Sequence, residues 1–308
     1  MLVRIIVGGT LVAACHHAPT SMSGDAMRDD DARAVDGAFF DAPLPRPGAC
    51  DPALPPPVAD SLTAHVKGAT CGPLGYYEYV PPGYAAGHDW PLLIAFHGDG
   101  QRGNGTTDLP QNLSDGLPQI IQSGGTWDPA KRFVVLAPQM DDRNGLTDRT
   151  APTVKAFIEF AIANYDVDVH RVYLTGFSGG AEPIYNYMGP EHGALVAAVL
   201  PISGWYSTQQ QECNWAEVPI WYFHGATDNV VPPAQHSTLS YDAMAACPPA
   251  VAPRYTLFAA RGHDDWQLVY NLQAMSAATY PVVTTPPGTT PYAISMYDWL
   301  LQYTRPPA

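Results

Sequence analysis

From residue 76 the chain alternates two patterns. Short runs in which most positions are apolar or aromatic, "YYEYVPPGY", "PLLIAFHG", "FVVLAPQ", "RVYLTGFSGG", "AAVLPISGW", "PIWYFHGATD" and "RYTLFAARGH", are separated by polar turns or by segments of helical spacing. Several of the runs are apolar throughout, which is the pattern of strands buried on both faces of a parallel sheet. In "APTVKAFIEFAIANY", Val154, Phe157, Ile158, Ala161 and Ile162 fall on one helical face, and Pro152 stands near the start, where helices tolerate it. The closing residues predict a second helix from Tyr292 to Tyr303, with Ile294, Tyr297, Leu300 and Leu301 as its inner stripe. Strands alternating with helices predict an α/β fold with a mostly parallel central sheet flanked by helices, in a single domain. No repeat at a fixed period is present.

The first 48 residues follow neither pattern. "MLVRIIVGGTLVAAC" puts one Arg before a short apolar stretch that ends in small residues, the pattern of a secretory signal and too short to span a bilayer. Its ending, Val12-Ala13-Ala14-Cys15, resembles a bacterial lipobox, so residues 1–14 are expected to be removed and Cys15 lipidated. Between Asp25 and Asp41 stand six Asp against two Arg, without apolar periodicity, and residues 15–48 read as a disordered acidic tether. Residues 49–308 are left as the folded domain, enough for one sizeable core. Four further cysteines, Cys50, Cys71, Cys213 and Cys247, favour two disulfides in an exported chain; they allow three pairings, and order along the chain favours 50 with 71 and 213 with 247. None of these cysteines stands at C-x-x-C spacing, so zinc is not expected. A net charge of −14 with only 15 scattered Lys and Arg argues against nucleic acid as a partner.

Candidate chemistry begins at Gly176-Phe177-Ser178-Gly179-Gly180, a G-x-S-x-G match between the strand "VYLT" and the helix-capable "AEPIYNYM". A strand, a sharp turn and a helix push a serine hydroxyl out above the sheet, and glycines at 176 and 180 leave room where the backbones crowd. A serine hydroxyl is a weak nucleophile until a base takes its proton. Asp228 in "FHGATDNVVP" and His263 in "AARGHDDW" lie just past later strands, which completes the chain order Ser, Asp, His. The Gly-rich "IAFHGDGQRGNG" closes an early strand and can supply an oxyanion hole from the Asp99 N–H with that of Gly179, the Asp99 side chain then facing outward. His97 and His224 are expected to fix their loops by hydrogen bonds, Asn229 to shape a turn, and Asp264 and Asp265 to point away from the base. "MDDRNG", residues 140–145, lacks the full series of a calcium loop and reads as surface. Of Trp205, Trp215 and Trp266, Trp266 is the best placed to stack on a substrate ring, followed by Trp205.

Together "FHGDGQRG", "VLAPQ", "RVYLTGFSGG", "LPISGW", "PIWYFHGATDNVVP" and "GHDDW" resemble the secreted serine esterases of the α/β-hydrolase superfamily, including the polyhydroxybutyrate depolymerase and feruloyl esterase group and the related "predicted peptidases", over residues 72 to 304. The resemblance implies an exported carboxylic ester hydrolase without cofactor or metal, with Ser178 as nucleophile, Asp228 as acid and His263 as base. Feruloyl or acetyl-polysaccharide, polyester and small esters are its implied substrates. A peptidase with the same triad and an idle binding module on this fold are the alternatives. The chain departs from the family in Gly179-Gly180-Ala181, where a bulky residue often follows the serine, and this predicts extra room beside the nucleophile. Its partners are expected to be the ester substrate and, through Cys15 alone, a membrane; it is expected to be a monomer.

Overall fold

The apolar runs form the middle of a nine-stranded sheet in a computed structural model that describes residues 49–305, apart from 51–52, 85–88, 125–126, 129, 131, 142–147, 207–210 and 272–275. The expected signal peptide, Cys15 and the tether lie outside the described residues, as does most of "MDDRNG". In chain order the strands are β1 (Ser61–His65), β2 (Gly75–Val80), β3 (Trp90–Phe96), β4 (Val134–Gln139), β5 (Val167–Phe177), β6 (Ala198–Ile202), β7 (Trp221–Gly225), β8 (Arg254–Phe258) and β9 (Val282–Thr285). They lie in the order β1-β2-β4-β3-β5-β6-β7-β8-β9. The six from β4 to β8 pair in parallel, and antiparallel pairs close the two edges. This is the α/β-hydrolase type of fold, as expected.

Helices α1 (Gly116–Ser123), α2 (Ala151–Asn164), α3 (Glu182–Glu191), α4 (Ser237–Ala246), α5 (Trp266–Tyr270) and α6 (Met296–Leu300) cover both faces. Along β3 the fully buried side chains divide by parity. Leu92 and Ile94 join the core under α2, α3 and α4, while Leu93 and Ala95 join the core under α1, α5 and α6. That two-sided burial is why these strands carry no polar alternation. The α2 stripe is buried as predicted, and Thr150 caps the helix by accepting the Thr153 N–H. The final helix is shorter than its pattern: residues 291–295 form turns, and Ser295 caps a start at Met296 by accepting the Asp298 N–H. Met296, Tyr297, Trp299 and Leu300 face the core, whereas Ile294 and Leu301 are half-buried.

Both expected disulfides are present, Cys50–Cys71 and Cys213–Cys247. Each closes a loop whose length corresponds to about 3–4 kcal/mol of chain entropy. Strand order reverses around β3, which has β4 on one side and β5 on the other. Open α/β sheets leave a crevice at such a switch point, beyond the carboxyl ends of the strands. The residues after β3, β5, β6, β7 and β8 converge there.

Candidate active site

The backbone turns sharply where β5 ends. Ser178 has φ +55°, a left-handed conformation that costs a non-glycine residue energy and that surrounding structure must enforce. Glycine is required on both sides: a Cβ at Gly176 would lie 2.1 Å from the Gly180 carbonyl oxygen, and one at Gly180 would lie 2.4 Å from that of Phe96. The Ser178 hydroxyl is 2.8 Å from His263 Nε2, and His263 Nδ1 is 2.7 Å from Asp228 Oδ2. A carboxylate can only accept, so Nδ1 carries the hydrogen and Nε2 is left to take the serine proton. The Phe177 ring packs against the imidazole at a centroid distance of 4.9 Å. Ser178, Asp228 and His263, read separately from the sequence, are thus brought into one hydrogen-bonded chain.

Asp228 is fixed from all sides. Its Oδ1 accepts the N–H groups of Val230 and Val231, both at 2.9 Å. Its Oδ2 faces His263 and, at 3.2 Å, the Nε2 of the fully buried His224. Burial by itself would raise the carboxyl pKa, but the hydrogen bonds from His224, His263, Val231 and Val230 outweigh it and hold the group well below the usual carboxylate range. His224 Nε2 donates to the Val231 carbonyl at 2.8 Å, and Nδ1 is 2.7 Å from the Ser237 hydroxyl, so His224 braces the acid loop as expected. His97 braces the early loop in the same way: its Nε2 accepts the Met140 N–H and its Nδ1 lies 2.6 Å from the Gly98 carbonyl.

Gly179 and Asp99 line one cleft of about 270 Å³ with Ser178, His263 and Trp205. The Asp99 side chain does not simply face outward. Its Oδ1 pairs at 2.7 Å with Nη1 of the buried Arg149, which also lies 3.1 Å from Oε2 of Glu182, the first residue of α3. One guanidinium therefore ties the β3 loop to the helix behind the serine. The extra room expected beside the nucleophile is not there, since a Cβ at Gly179 would meet Asp99 Oδ1 at 1.9 Å and Arg149 Nη1 at 2.8 Å. Glycine at 179 is what lets that ion pair cross over the turn. Arg149 is 50 residues from Asp99 and 33 from Glu182, and no local spacing signals the link.

The two tryptophans part company. Trp205 is 48% exposed, lines the cleft, and its backbone N–H donates to the Ser178 carbonyl. Trp266 opens α5 and is buried against Phe177, in the core rather than on the cleft, which corrects its expected role in substrate stacking. Trp215 is likewise a core residue. Asp264 points away from the base and pairs with Arg261, as expected. Asp265 makes no bond to the base either, but it lies in the core and not at the surface, because it precedes α5 and is carried inward with it. It is fully buried, and its Oδ1 accepts the Ser203 hydroxyl at 2.8 Å.

Burial pushes the Asp265 carboxyl up to about 7; His224 and the Ser203 hydroxyl oppose the shift and the Asp228 charge adds to it. A raised carboxyl value stabilises the fold below the unfolded value. That contribution is lost as pH rises towards 7, because the unfolded chain has already released a proton that the folded chain keeps. Over this window the loss is on the order of 4 kcal/mol. Asp265→Asn, uncharged throughout, is expected to raise Tm over wild type at pH 8 and to lose that advantage near pH 4. Equal differences at both pH values in a thermal melt would contradict the assignment.

A model of the family described as Phospholipase/Carboxylesterase matches residues 86–267, more than half of the chain. The bifunctional acetylxylan esterase/xylanase XynS20E of Neocallimastix patriciarum is 27% identical over 165 residues, 50% of this chain and 21% of that protein. A thermostable esterase of known structure superposes with a TM-score of 0.53 at 21% identity, covering 80% of this chain and 63% of that one, a likeness of fold. The butyrate-bound Est2 esterase of Thermogutta terrifontis gives a TM-score of 0.47 at 15% identity, covering 67% of this chain and 85% of that one. The chain thus spans about a fifth of the length of the curated relative and less than two thirds of the first of these structures.

Proposed function

The chain belongs to the phospholipase/carboxylesterase family, and on that premise we propose that it is an ester hydrolase working through Ser178, His263 and Asp228 by way of an acyl-enzyme. The observation that carries this reading is the chain of hydrogen bonds from Ser178 Oγ through His263 to Asp228, mounted on a serine at positive φ. His263 Nε2 takes the serine proton as Oγ attacks the ester carbonyl. The tetrahedral oxygen is held by the N–H groups of Gly179 and Asp99, and Asp228 supports the imidazolium. Collapse breaks the ester bond and His263 returns the proton to the leaving alcohol. Water, deprotonated by the same nitrogen, then attacks the acyl-enzyme and frees Ser178.

The cleft of about 270 Å³ is small for a drug-sized ligand and suits a short acyl group. The acetylxylan esterase in the name of the curated relative supports an acetylated saccharide as substrate ahead of a feruloyl ester or a polyester. Two disulfides are compatible with export, and Cys15 is the proposed anchor. The test is a panel of p-nitrophenyl esters of rising chain length, with acetylated xylan and methyl ferulate beside it. Acetate and propionate are expected to turn over fastest. Failure to hydrolyse any ester would overturn the reading.

Arg149 offers a second check on the oxyanion assignment. Arg149→Met leaves the Asp99 carboxylate without its cation, on a loop no longer tied to α3. We expect kcat to fall on the order of a hundredfold with a smaller change in KM, the signature of lost transition-state stabilisation. Removing the Asp99 charge as well, in Asp99→Asn/Arg149→Met, is expected to recover part of that loss. A double variant no faster than Arg149→Met would reject the electrostatic part of the account.

A further inference from the structure

Asp115 occupies the N-cap of α1 but its side chain makes no capping hydrogen bond. Aspartate is favoured at that position because its carboxylate accepts an N–H from the second or third helical residue. The third residue here is Pro118, which has no N–H to give. The carboxyl instead lines the cleft that holds Ser178, Gly179 and His263, and its Oδ1 is buried with no hydrogen-bond partner among the described residues. Burial pushes its pKa up to about 6, as it must for a carboxyl removed from water without a donor beside it.

Gln101 lines the same cleft and is only 9% exposed. Its Nε2 donates to the Ser114 hydroxyl at 2.9 Å, which fixes the amide and leaves Oε1 buried and likewise without a partner. Two acceptors on one cleft are therefore unmatched, while the hydroxyl of Ser178 and the Nε2 of His263 are matched to each other. Buried polar groups are nearly always satisfied, and a donor carried by a ligand in the cleft would satisfy these two.

We propose that Asp115, with Gln101 beside it, accepts a hydrogen bond from a hydroxyl group of the ester substrate and makes the enzyme selective for hydroxylated esters over their methyl-capped counterparts. The proposal rests on the ester-hydrolase reading above and adds to it the residue that reads the substrate. Sites built to bond a hydroxyl reject the analogue lacking it far more strongly than apolar pockets reject an added group, because the buried acceptor is then left unpaired.

The experiment compares kcat/KM for two matched pairs that differ only in a terminal hydroxyl or methyl group. One pair, 2-hydroxyethyl acetate and propyl acetate, varies the alcohol side; the other, p-nitrophenyl 3-hydroxypropanoate and p-nitrophenyl butanoate, varies the acyl side. Wild type is expected to prefer the hydroxylated member of at least one pair by about tenfold or more. Asp115→Leu should bring that ratio near unity by slowing the hydroxylated ester, and Asp115→Asn, which keeps an acceptor oxygen, should retain part of it. No preference in either pair with wild type, or an unchanged ratio in both variants, overturns the proposal while leaving the esterase reading intact. Should Asp115→Leu fail to fold, the wild-type ratios and Asp115→Asn decide alone. Wild type that turns over none of these esters, nor p-nitrophenyl acetate, overturns the ester-hydrolase reading and this proposal with it.

Discussion

Ser178→Ala is expected to lower turnover of p-nitrophenyl acetate by about a millionfold, to the level left by the oxyanion donors and binding alone. The size follows from the triad acting as a unit: without Oγ, His263 has no proton to take and Asp228 supports an imidazolium that never forms. The fold should persist. Alanine carries the same Cβ as serine, so the strain at φ +55° is unchanged, and the backbone contacts around Gly176 and Gly180 do not involve the hydroxyl. Tm and intact disulfides would establish that. A fluorophosphonate should add its phosphonyl mass to the Ser178 peptide in wild type and to no peptide in the variant. Substantial activity in a clean preparation of Ser178→Ala would remove Ser178 as nucleophile, whatever its hydrogen bonds.

What could be read from the chain depended on how local the signal was. The strands that carry the site are apolar on both faces and announced themselves, and the residues after their carboxyl ends gave Ser178, Asp228 and His263. The edge strands did not. β1 is "SLTAH", largely half-exposed, and β9 alternates half-buried and exposed over four residues, so neither is long or apolar enough to stand out from a loop. Helix α6 ended up shorter than its stripe because Ser295 caps it late, a choice between Ser295 and earlier turn residues that periodicity does not make.

Side-chain direction was the other gap. Asp265 and Trp266 are near neighbours of His263 in sequence, yet both are buried where α5 begins. The Asp99–Arg149–Glu182 link and the Asp115–Gln101 wall are products of topology alone. The first joins the connections that follow β3, β4 and β5, and the second folds back within the single connection between β3 and β4, so neither has a local spacing that marks it.

Asp228→Asn should be nearly as damaging as loss of the serine, for a reason visible in the hydrogen bonds around it. Oδ1 faces two backbone donors, the N–H groups of Val230 and Val231, so an amide nitrogen cannot sit there without opposing donor to donor. The asparagine must therefore turn its NH₂ towards His263 Nδ1. That nitrogen then becomes the acceptor, the ring hydrogen moves to Nε2, and the nitrogen facing Ser178 can no longer take its proton. A wrong tautomer in intact geometry costs on the order of ten-thousandfold in kcat near neutrality. Asp264→Asn is the control, because Asp264 is exposed and pairs with Arg261; its loss should be within a few-fold. The decisive comparison is kcat of the two variants on one short ester at pH 7, with Tm measured beside it. A crippled Asp264→Asn next to a nearly silent Asp228→Asn would move the acid to Asp264, and Ser178 and His263 would then have to be oriented by a side chain that lies at the surface.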